Sequence, residues 1–575
     1  MKITVAKYCI EFLISKGIQI LPGIPGGTIL PIYDALADSG IEHVLARHEQ
    51  GAGFMAQGMA RSTGKVSACL VSSGPGVANL LTAVSDAFSD SVPMLIFSGQ
   101  VPRSLLGTDA FQELPTKSIV SHFTKAAYLV LEPKEIPKIL EEAYQLAGSG
   151  RPGPVWIDLP KDVQNETIDW DGKVIIENSK KIESDLPKLN EKRLALAIDR
   201  TIELLHASKK PLFYIGGGAK QSAEILRNLV GNLHIPVVST LMGLGILPKE
   251  NPDYLGMMGM HGTINANLAL GECDLLIALG VRFDDRATGN IDTFCPNAKI
   301  IHIDIDPKEI GKNKKVNLFW TGDLSSYLHQ LLLRVKEIRK ENSWFLSLES
   351  HPKLVQNQKE DSLTSFFLNL GCHFSGKDFI ITDVGQHQMW TAQFFPFPNE
   401  RSWITSGGQG TMGFGLPTSI GVSMANPESK VICISGDGSI MMNLQELATL
   451  RELNANVKII IFNNGHLGLV RQQQELFYGN RRSGSVFDCQ PNFIQLAESF
   501  GIPCSKRSLG DDLKDFFDSL TRPGPIILEL IVPTETGVYP FVPGGKSNQE
   551  FILNSPQSIE SKSEIENELC SINEM

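Results

Sequence analysis

Two short apolar runs constrain this chain more than any other feature. Val431–Ile434 is followed by Ser435-Gly436-Asp437-Gly438-Ser439, and Val457–Phe462 by Asn463-Asn464-Gly465-His466. Between them Leu444, Leu447, Ala448 and Leu450 to Leu453 recur at helical spacing. Strand, helix and strand within about thirty residues form a βαβ unit with parallel strands and a right-handed crossover. Asp437 and Asn464 then leave the sheet at its carboxyl edge, where open α/β folds bind ligands. A carboxylate, an amide oxygen and a nearby main-chain carbonyl are the hard ligands that Mg²⁺ takes, with waters and phosphates completing its octahedron. The glycines let the backbone come close to phosphate, and the helix that follows offers its first N–H groups. The pattern describes a metal-bridged diphosphate site. Taken singly, Gly-Asp-Gly and Asn-Asn-Gly are equally ordinary turns.

The same grammar recurs along the chain. Residues 1–165 alternate apolar runs with glycine-punctuated helices: Ile18 to Leu21, Gly23-Ile24-Pro25-Gly26-Gly27, a helix Ile29 to Ala37, then His43 to Ala46 ending at Arg47-His48-Glu49. The helix Gly51 to Arg61 is crowded with glycine and alanine, which lets a second helix or backbone approach closely. Ala68 to Val71, Gly74-Pro75-Gly76, a helix to Phe88 and Pro93 to Phe97 add a further βαβ unit. Gln164 to Arg193 reads as a linker. In 194–335, Phe213-Tyr214-Ile215 runs into Gly216-Gly217-Gly218, Leu275 to Leu279 into Gly280, and Ile300 to Ile303 into Asp304. Glycines and acids directly after strands suit a dinucleotide, although packing turns look the same and no G-x-G-x-x-G is present. Leu331 to Ser362 reads as a second linker, 363–547 as the block with the diphosphate stretch, and 548–575 as an acidic, disordered tail.

With 575 residues the chain has room for three or four domains, each with its own core. A net charge of −11 argues against nucleic acid or an anionic membrane as main partner. Nine scattered cysteines with no C-x-x-C suggest neither a disulfide framework nor zinc, and fit a reducing compartment. Lys2, Lys7 and Glu11 in an amphipathic pattern are unlike a signal peptide, and no apolar run reaches the eighteen or so residues of a membrane span. A cytoplasmic location is expected.

Residues 439–462, twenty-four in all, separate Gly438 from Asn463. Gly-Asp-Gly, that gap and Asn-Asn resemble the signature of thiamine-diphosphate enzymes. Further pieces extend the resemblance from Gly23 to about Asn548: Pro25-Gly26-Gly27, Arg47-His48-Glu49, Ser73-Gly74-Pro75-Gly76, Gly107 to Glu113, Arg151-Pro152-Gly153-Pro154, Asp158 to Asp162, Arg282 to Arg286, Val384 to Trp390 and Gly410 to Gly413. Together they are similar to the catalytic subunits of acetohydroxyacid (acetolactate) synthases. That family implies an α/β fold of three doubly wound parallel-sheet domains, binding the cofactor's pyrimidine, FAD and the diphosphate with Mg²⁺. It also implies an active site between two subunits of a homodimer or larger homo-oligomer, and leaves open a small regulatory subunit.

The resemblance assigns roles residue by residue. Glu49 hydrogen-bonds the aminopyrimidine and promotes its imino tautomer, which requires a carboxyl with a pKa raised by burial. Met412 shapes the bent cofactor, while Gly410 and Val384, Gly385, Gln386 and His387 hold pyrimidine and diphosphate. Asp437, Asn464 and the carbonyl of His466 bind the metal, with Gly438 and Ser439 beside the phosphates. Gln112, Lys161 and Phe111 line the substrate channel, and Arg286 meets the carboxylate of the second 2-oxo acid. Arg151, Gly216, Gly217, Gly218, His261, Arg282, Asp284 and Asp304 fall on FAD motifs. Two positions depart from the usual pattern. Gln409 replaces an apolar residue, with no sequence-level explanation. Gln473 replaces a tryptophan, as in the bacterial isozyme I type, which Val538 to Pro543 also matches. The implied reaction is decarboxylation of pyruvate and ligation to a second 2-oxo acid, in branched-chain amino-acid synthesis or a catabolic acetolactate route. A pyruvate oxidase and a non-catalytic cofactor-binding homologue are the competing readings. The Arg282-to-Arg286 stretch argues against the first, and joint retention of Glu49, Asp437 and Asn464 against the second.

Overall fold

The computed structural model describes residues 2–172, 186–335, 344–345 and 362–554. They build three six-stranded parallel sheets and one small antiparallel pair. The N-terminal sheet runs Glu42–Leu45, Ile20–Gly23, Ser67–Val71, Met94–Gln100, Pro154–Pro160, Ala126–Leu129 across its width. The C-terminal sheet runs Trp403–Ile404, Phe379–Thr382, Val431–Gly436, Val457–Asn463, Ile526–Ile531, Cys504–Ser508. Numbered within each sheet, both have the order 2-1-3-4-6-5. The similar βαβ grammar of the first and third blocks is therefore a shared topology. The central sheet runs Tyr254–Met257, Val237–Ser239, Pro211–Ile215, Leu275–Leu279, Lys299–Asp304, Leu318–Thr321. Its order is 3-2-1-4-5-6, the dinucleotide-binding arrangement, with the topological switch between the strands that end at Gly216 and Gly280.

The central block has cores of its own, but the outer blocks do not stay separate. One apolar cluster runs from Val44, Phe54 and Ile96 through Phe414 and Ile420 to Val431 and Ile459. Glycine makes this possible: a Cβ on Gly58 would stand 2.2 Å from the Thr418 carbonyl oxygen, and one on Gly421 1.9 Å from that of Met55. The helices Glu49–Thr63 and Gly415–Ala425 thus meet backbone to backbone, the close approach that the small-residue helix predicts.

Three boundaries differ from expectation. Within the first linker, Gln164 is buried and donates to Thr28 O (2.8 Å), Thr167–Asp169 pairs with Lys2–Thr4, and the helix Leu186–Ala207 has already begun. Within the second, Leu331 and Phe345 are buried. The chain is still folded past 547, because Asn548 donates to the Ala287 carbonyl (3.0 Å) and Phe551 is buried. Buried apolar side chains and hydrogen bonds to distant backbone overrode the local composition. The remainder of the two linkers and of the acidic tail lies outside the described residues.

Candidate active site

At the C-terminal sheet, Gly436 stands opposite Phe462, so Asp437 and Asn464 emerge side by side. Asp437 Oδ2 accepts the Gly465 amide (2.9 Å) and the Gln490 side-chain amide, which joins the two turns. Burial raises the Asp437 pKa to about 6, and a carboxylate held away from water gains most from a cation. Asn464 Nδ2 donates to Gln386 Oε1 (2.9 Å), Asn464 Oδ1 accepts the His466 amide (3.1 Å), and the His466 ring lies against the Asn464 carbonyl. Among the described residues no three His, Cys, Asp or Glu side chains gather as metal ligands. A cation here would depend on one carboxylate, one amide oxygen, a main-chain carbonyl and phosphate. That is a donor set suited to Mg²⁺.

The imidazole of His387 stands between two glycines: a Cβ on Gly385 or Gly436 would come within 2.8 or 2.9 Å of it. It is buried with Nε2 unpartnered, and burial lowers its pKa to about 3. A buried orphan polar atom at a ligand edge fits a diphosphate that would satisfy it. The helix expected after Gly438 is interrupted. Ser439 turns back to accept the Gly436 amide (3.0 Å), and Asn443 Nδ2 is drawn to the Gly413 carbonyl (2.7 Å). One turn, Asp437–Ile440, therefore precedes the separate helix Glu446–Glu452. The Ser439 bond caps the start of this turn, and the Asn443 side chain, bonded to the backbone of another loop, competes with its continuation. The buried Asp383 accepts the amides of Gly413 (2.8 Å) and Gly415 (3.2 Å), which fixes the loop of Gly410 and the half-buried Met412 beside Val384. Gly410 takes φ +63°, which glycine adopts without strain.

At the N-terminal sheet, Glu49 is the first residue of its helix, with His48 as cap. It is half-buried, and Oε2 accepts Asn79 Nδ2 (2.9 Å); in the single chain it lacks the deep burial expected of it. Its Oε1 lies 3.6 Å from where a Gly76 Cβ would be, and Gln112 packs on Gly74 two residues earlier. Glu49 and Gln112 thus flank one turn, Ser73-Gly74-Pro75-Gly76. Lys161 follows strand Pro154–Pro160 at the same edge. Phe111 is 88% exposed and the Arg286 side chain 68% exposed, so one chain alone does not enclose them.

Around the central switch point, Gly216 and Gly218 pack against Gly280, and Gly217 against Met242. The glycines therefore serve packing as well as any ligand. Arg151 and Arg282 both donate to the Ser89 carbonyl, and Arg151 pairs with Glu309 (3.0 Å), joining the N-terminal and central domains. Asp284 caps the turn carrying Arg286, accepting the Ala287 amide (3.2 Å). Burial raises Asp304 to about 6. Burial, followed by the Arg286 charge, lowers His261 to about 3, and its buried Nδ1 is unpartnered. Glycine turns at a switch point, an acid after a strand and an open ring nitrogen are groups of the kind a dinucleotide takes.

Sequence reasoning missed Asp383, Asn79, Gln490 and Glu446. Asp383 carried a usable signal, an acid ending a strand at the ligand edge. The others are defined by partners far along the chain. The Gln409 amide donates to Ser85 (3.2 Å) and Ser89 (2.9 Å), which accounts for a polar side chain there. Gln473 lies on the exposed face of the helix Gly468–Phe477.

Residues 3–119, 198–331 and 383–530 match the N-terminal TPP binding, central and C-terminal TPP binding domains of the thiamine pyrophosphate enzymes. The large subunit of acetolactate synthase isozyme 1 from Escherichia coli is 45% identical over 96% of this chain and 98% of its own length. The acetolactate synthase large subunit of Lactococcus lactis is 43% identical over 94% and 95%, and a chloroplastic acetolactate synthase of Arabidopsis thaliana 41% over 95% and 84%. No helix among the described residues is long and apolar enough to cross a membrane. The chain has the three domains of a thiamine pyrophosphate enzyme and belongs to the acetolactate synthase large-subunit family.

Proposed function

We propose that this chain decarboxylates pyruvate on thiamine diphosphate and joins the two-carbon unit to pyruvate or 2-oxobutyrate, making 2-acetolactate or 2-aceto-2-hydroxybutyrate for branched-chain amino-acid synthesis. The observation that carries the reading is the pair of edges. Glu49 and Gln112 flank one turn at the first, and Asp437, Asn464 and the open His387 Nε2 converge at the second. Bound between them, thiamine diphosphate supplies the electron sink for decarboxylation and the nucleophilic carbon for ligation. Asp437, Asn464 Oδ1 and the His466 carbonyl would hold Mg²⁺ against the diphosphate, with Gln386, His387, Gly438 and Ser439 around it. The Glu49 carboxyl holds and returns a proton at a pyrimidine ring nitrogen, and Met412 supports the bent conformer. Gln112, Lys161 and Phe111 shape the channel, and the Arg286 fork binds the acceptor carboxylate.

FAD would lie along Gly216 to Gly218, Arg151, Arg282, His261, Asp284 and Asp304, in a structural role. The exposure of Phe111 and Arg286 favours a homodimer or larger assembly whose second copy covers them. Two relatives are named large subunits, which favours a small regulatory partner here too; a cytoplasmic location completes the reading. Incubation with pyruvate, thiamine diphosphate, Mg²⁺ and FAD under nitrogen should yield acetolactate. Acetyl products dependent on oxygen or a quinone would mean an oxidase, and no turnover a scaffold. With pyruvate and 2-oxobutyrate mixed, Gln473 offers little apolar wall to the extra methyl, so the two products should form with little preference. Gln473→Trp should shift the ratio towards acetohydroxybutyrate by up to the roughly 10- to 200-fold that one methylene is worth.

A further inference from the structure

A buried carboxylate of the C-terminal domain holds the turn that presents Glu49. Glu446 is fully buried, and its Oε1 accepts the main-chain amides of both Arg47 and His48 (3.0 Å each). Its Oε2 accepts the Thr449 hydroxyl (2.8 Å), and the same hydroxyl reaches the Leu45 carbonyl (3.3 Å). One turn further on, Glu452 pairs with Arg47 (2.5 Å). The helix Glu446–Glu452 therefore grips residues 45–48 at three levels. Gly51 bears the mark of the same contact: a Cβ there would stand 2.4 Å from Glu446 Oε1. The amides that Glu446 engages belong to the two residues immediately before Glu49. A helix N-terminus leaves such donors without intrahelical partners and favours a negative charge beside them.

We propose that Glu446 is a positioning residue for Glu49, acting through its hydrogen bonds to the Arg47 and His48 amides. The inference rests on the reading of Glu49 as the proton-handling carboxylate. Misplacing a reacting group by about 1 Å can cost on the order of a hundredfold in rate, so losing the grip should be visible in the proton step before it is visible in binding.

The test uses the full chain with thiamine diphosphate, Mg²⁺ and FAD. It measures deuterium exchange at the thiazolium carbon of bound thiamine diphosphate, alongside cofactor affinity by fluorescence and fold by circular dichroism. Glu446→Ala should exchange roughly ten- to a hundredfold more slowly, with affinity changed by less than about threefold. Glu446→Gln keeps an oxygen for both amides and an NH₂ for Thr449, so it should keep most of the wild-type exchange. Glu446→Asp, one methylene short, should fall between, and it replaces the alanine variant if that chain does not fold. Wild-type exchange in folded Glu446→Ala or Glu446→Asp overturns the proposal, as does a glutamine variant as slow as alanine. Glu49→Gln runs in parallel. If it exchanges normally, the reading of Glu49 has failed. If it alone is slow, only the role of Glu446 has.

Discussion

The N- and C-terminal sheets share one strand order and put their ligand groups on the same kind of edge, yet they equip that edge differently. At the C-terminal edge the acids Asp383 and Asp437 are buried, and both accept main-chain amides. At the N-terminal edge Glu49 is half-buried beside Asn79. On the proposed reading an ion and a diphosphate would need fixed ligands, and acids built into turns are fixed. A carboxyl that must exchange a proton with a ring needs an open face until the ring arrives. Topology is common to the two halves, and what differs is how deeply the acids at each edge are buried.

Glu49→Gln is the most severe test of that division. It preserves size and a hydrogen-bonding group but cannot hold and return the proton. Turnover should fall by about two to four orders of magnitude while cofactor affinity stays close to wild type. Near-normal turnover in the purified variant would remove the N-terminal half of the comparison.

Asp437→Ala should produce the opposite split. Loss of an outer-shell partner typically costs about 10- to 100-fold in metal affinity, and loss of a ligand should cost at least that much. Excess Mg²⁺ and thiamine diphosphate should then partly restore activity. Gln490→Ala, which removes only a donor to Asp437, should fall at the lower end of the same range. A titration of Mn²⁺ followed by its paramagnetic signal reads both. Unchanged affinity in a folded Asp437→Ala would reduce the Gly-Asp-Gly turn to a turn.

The N-terminal sheet does contain a deeply buried acid, set back from its rim. Asp158 accepts Ser98 Oγ (2.6 Å) and Gln100 Nε2 (3.0 Å), and burial raises its pKa to about 7. In an unfolded chain the value is about 3.9. The unfolded state therefore loses the proton first as pH rises. The stability this group contributes is complete below about pH 4 and is lost as pH climbs towards 7, by roughly 2–3 kcal/mol between pH 5 and 7. Asp158→Asn does not titrate. Its Tm relative to wild type should climb across that interval, and a flat difference would mean that Asp158 is already ionised at pH 5.

What the sequence made legible was local. The strands and turns around Asp437 and the glycines of 51–58 follow from spacing within a few residues, and the glycines predict the close helix contact. Glu446 was not legible, because its hydrogen bonds to Arg47 and His48 span 399 and 398 residues and leave no periodicity. Polar linkers misled for a related reason. Their composition favours solvent, whereas Gln164, Phe345 and Asn548 find partners that only the assembled domains provide.

Gln409 is the smallest and finest test, because it sits on the seam between the two halves. On one side of that seam the helix Pro75–Ser89 and the residue after it supply Asp86 and Asp90, both buried against Arg61. Asp90 accepts the amides of Gly407 (2.9 Å) and Gly408 (2.7 Å), and Asp86 accepts Thr411 Oγ1 (2.8 Å). Breaking a buried ion pair of this kind costs several kcal/mol, since the partner is left charged and unpaired. Gln409 adds an exposed amide to the same loop, and an exposed neutral hydrogen bond contributes about 1 kcal/mol or less. Gln409→Leu, which puts an apolar side chain there, should therefore lower stability by no more than about 1 kcal/mol and leave the KM for thiamine diphosphate within about twofold. A fall in Tm matching several kcal/mol, or a tenfold rise in that KM, would show that the surface amide rather than the buried Arg61 cluster holds the Gly410–Met412 loop against the N-terminal half.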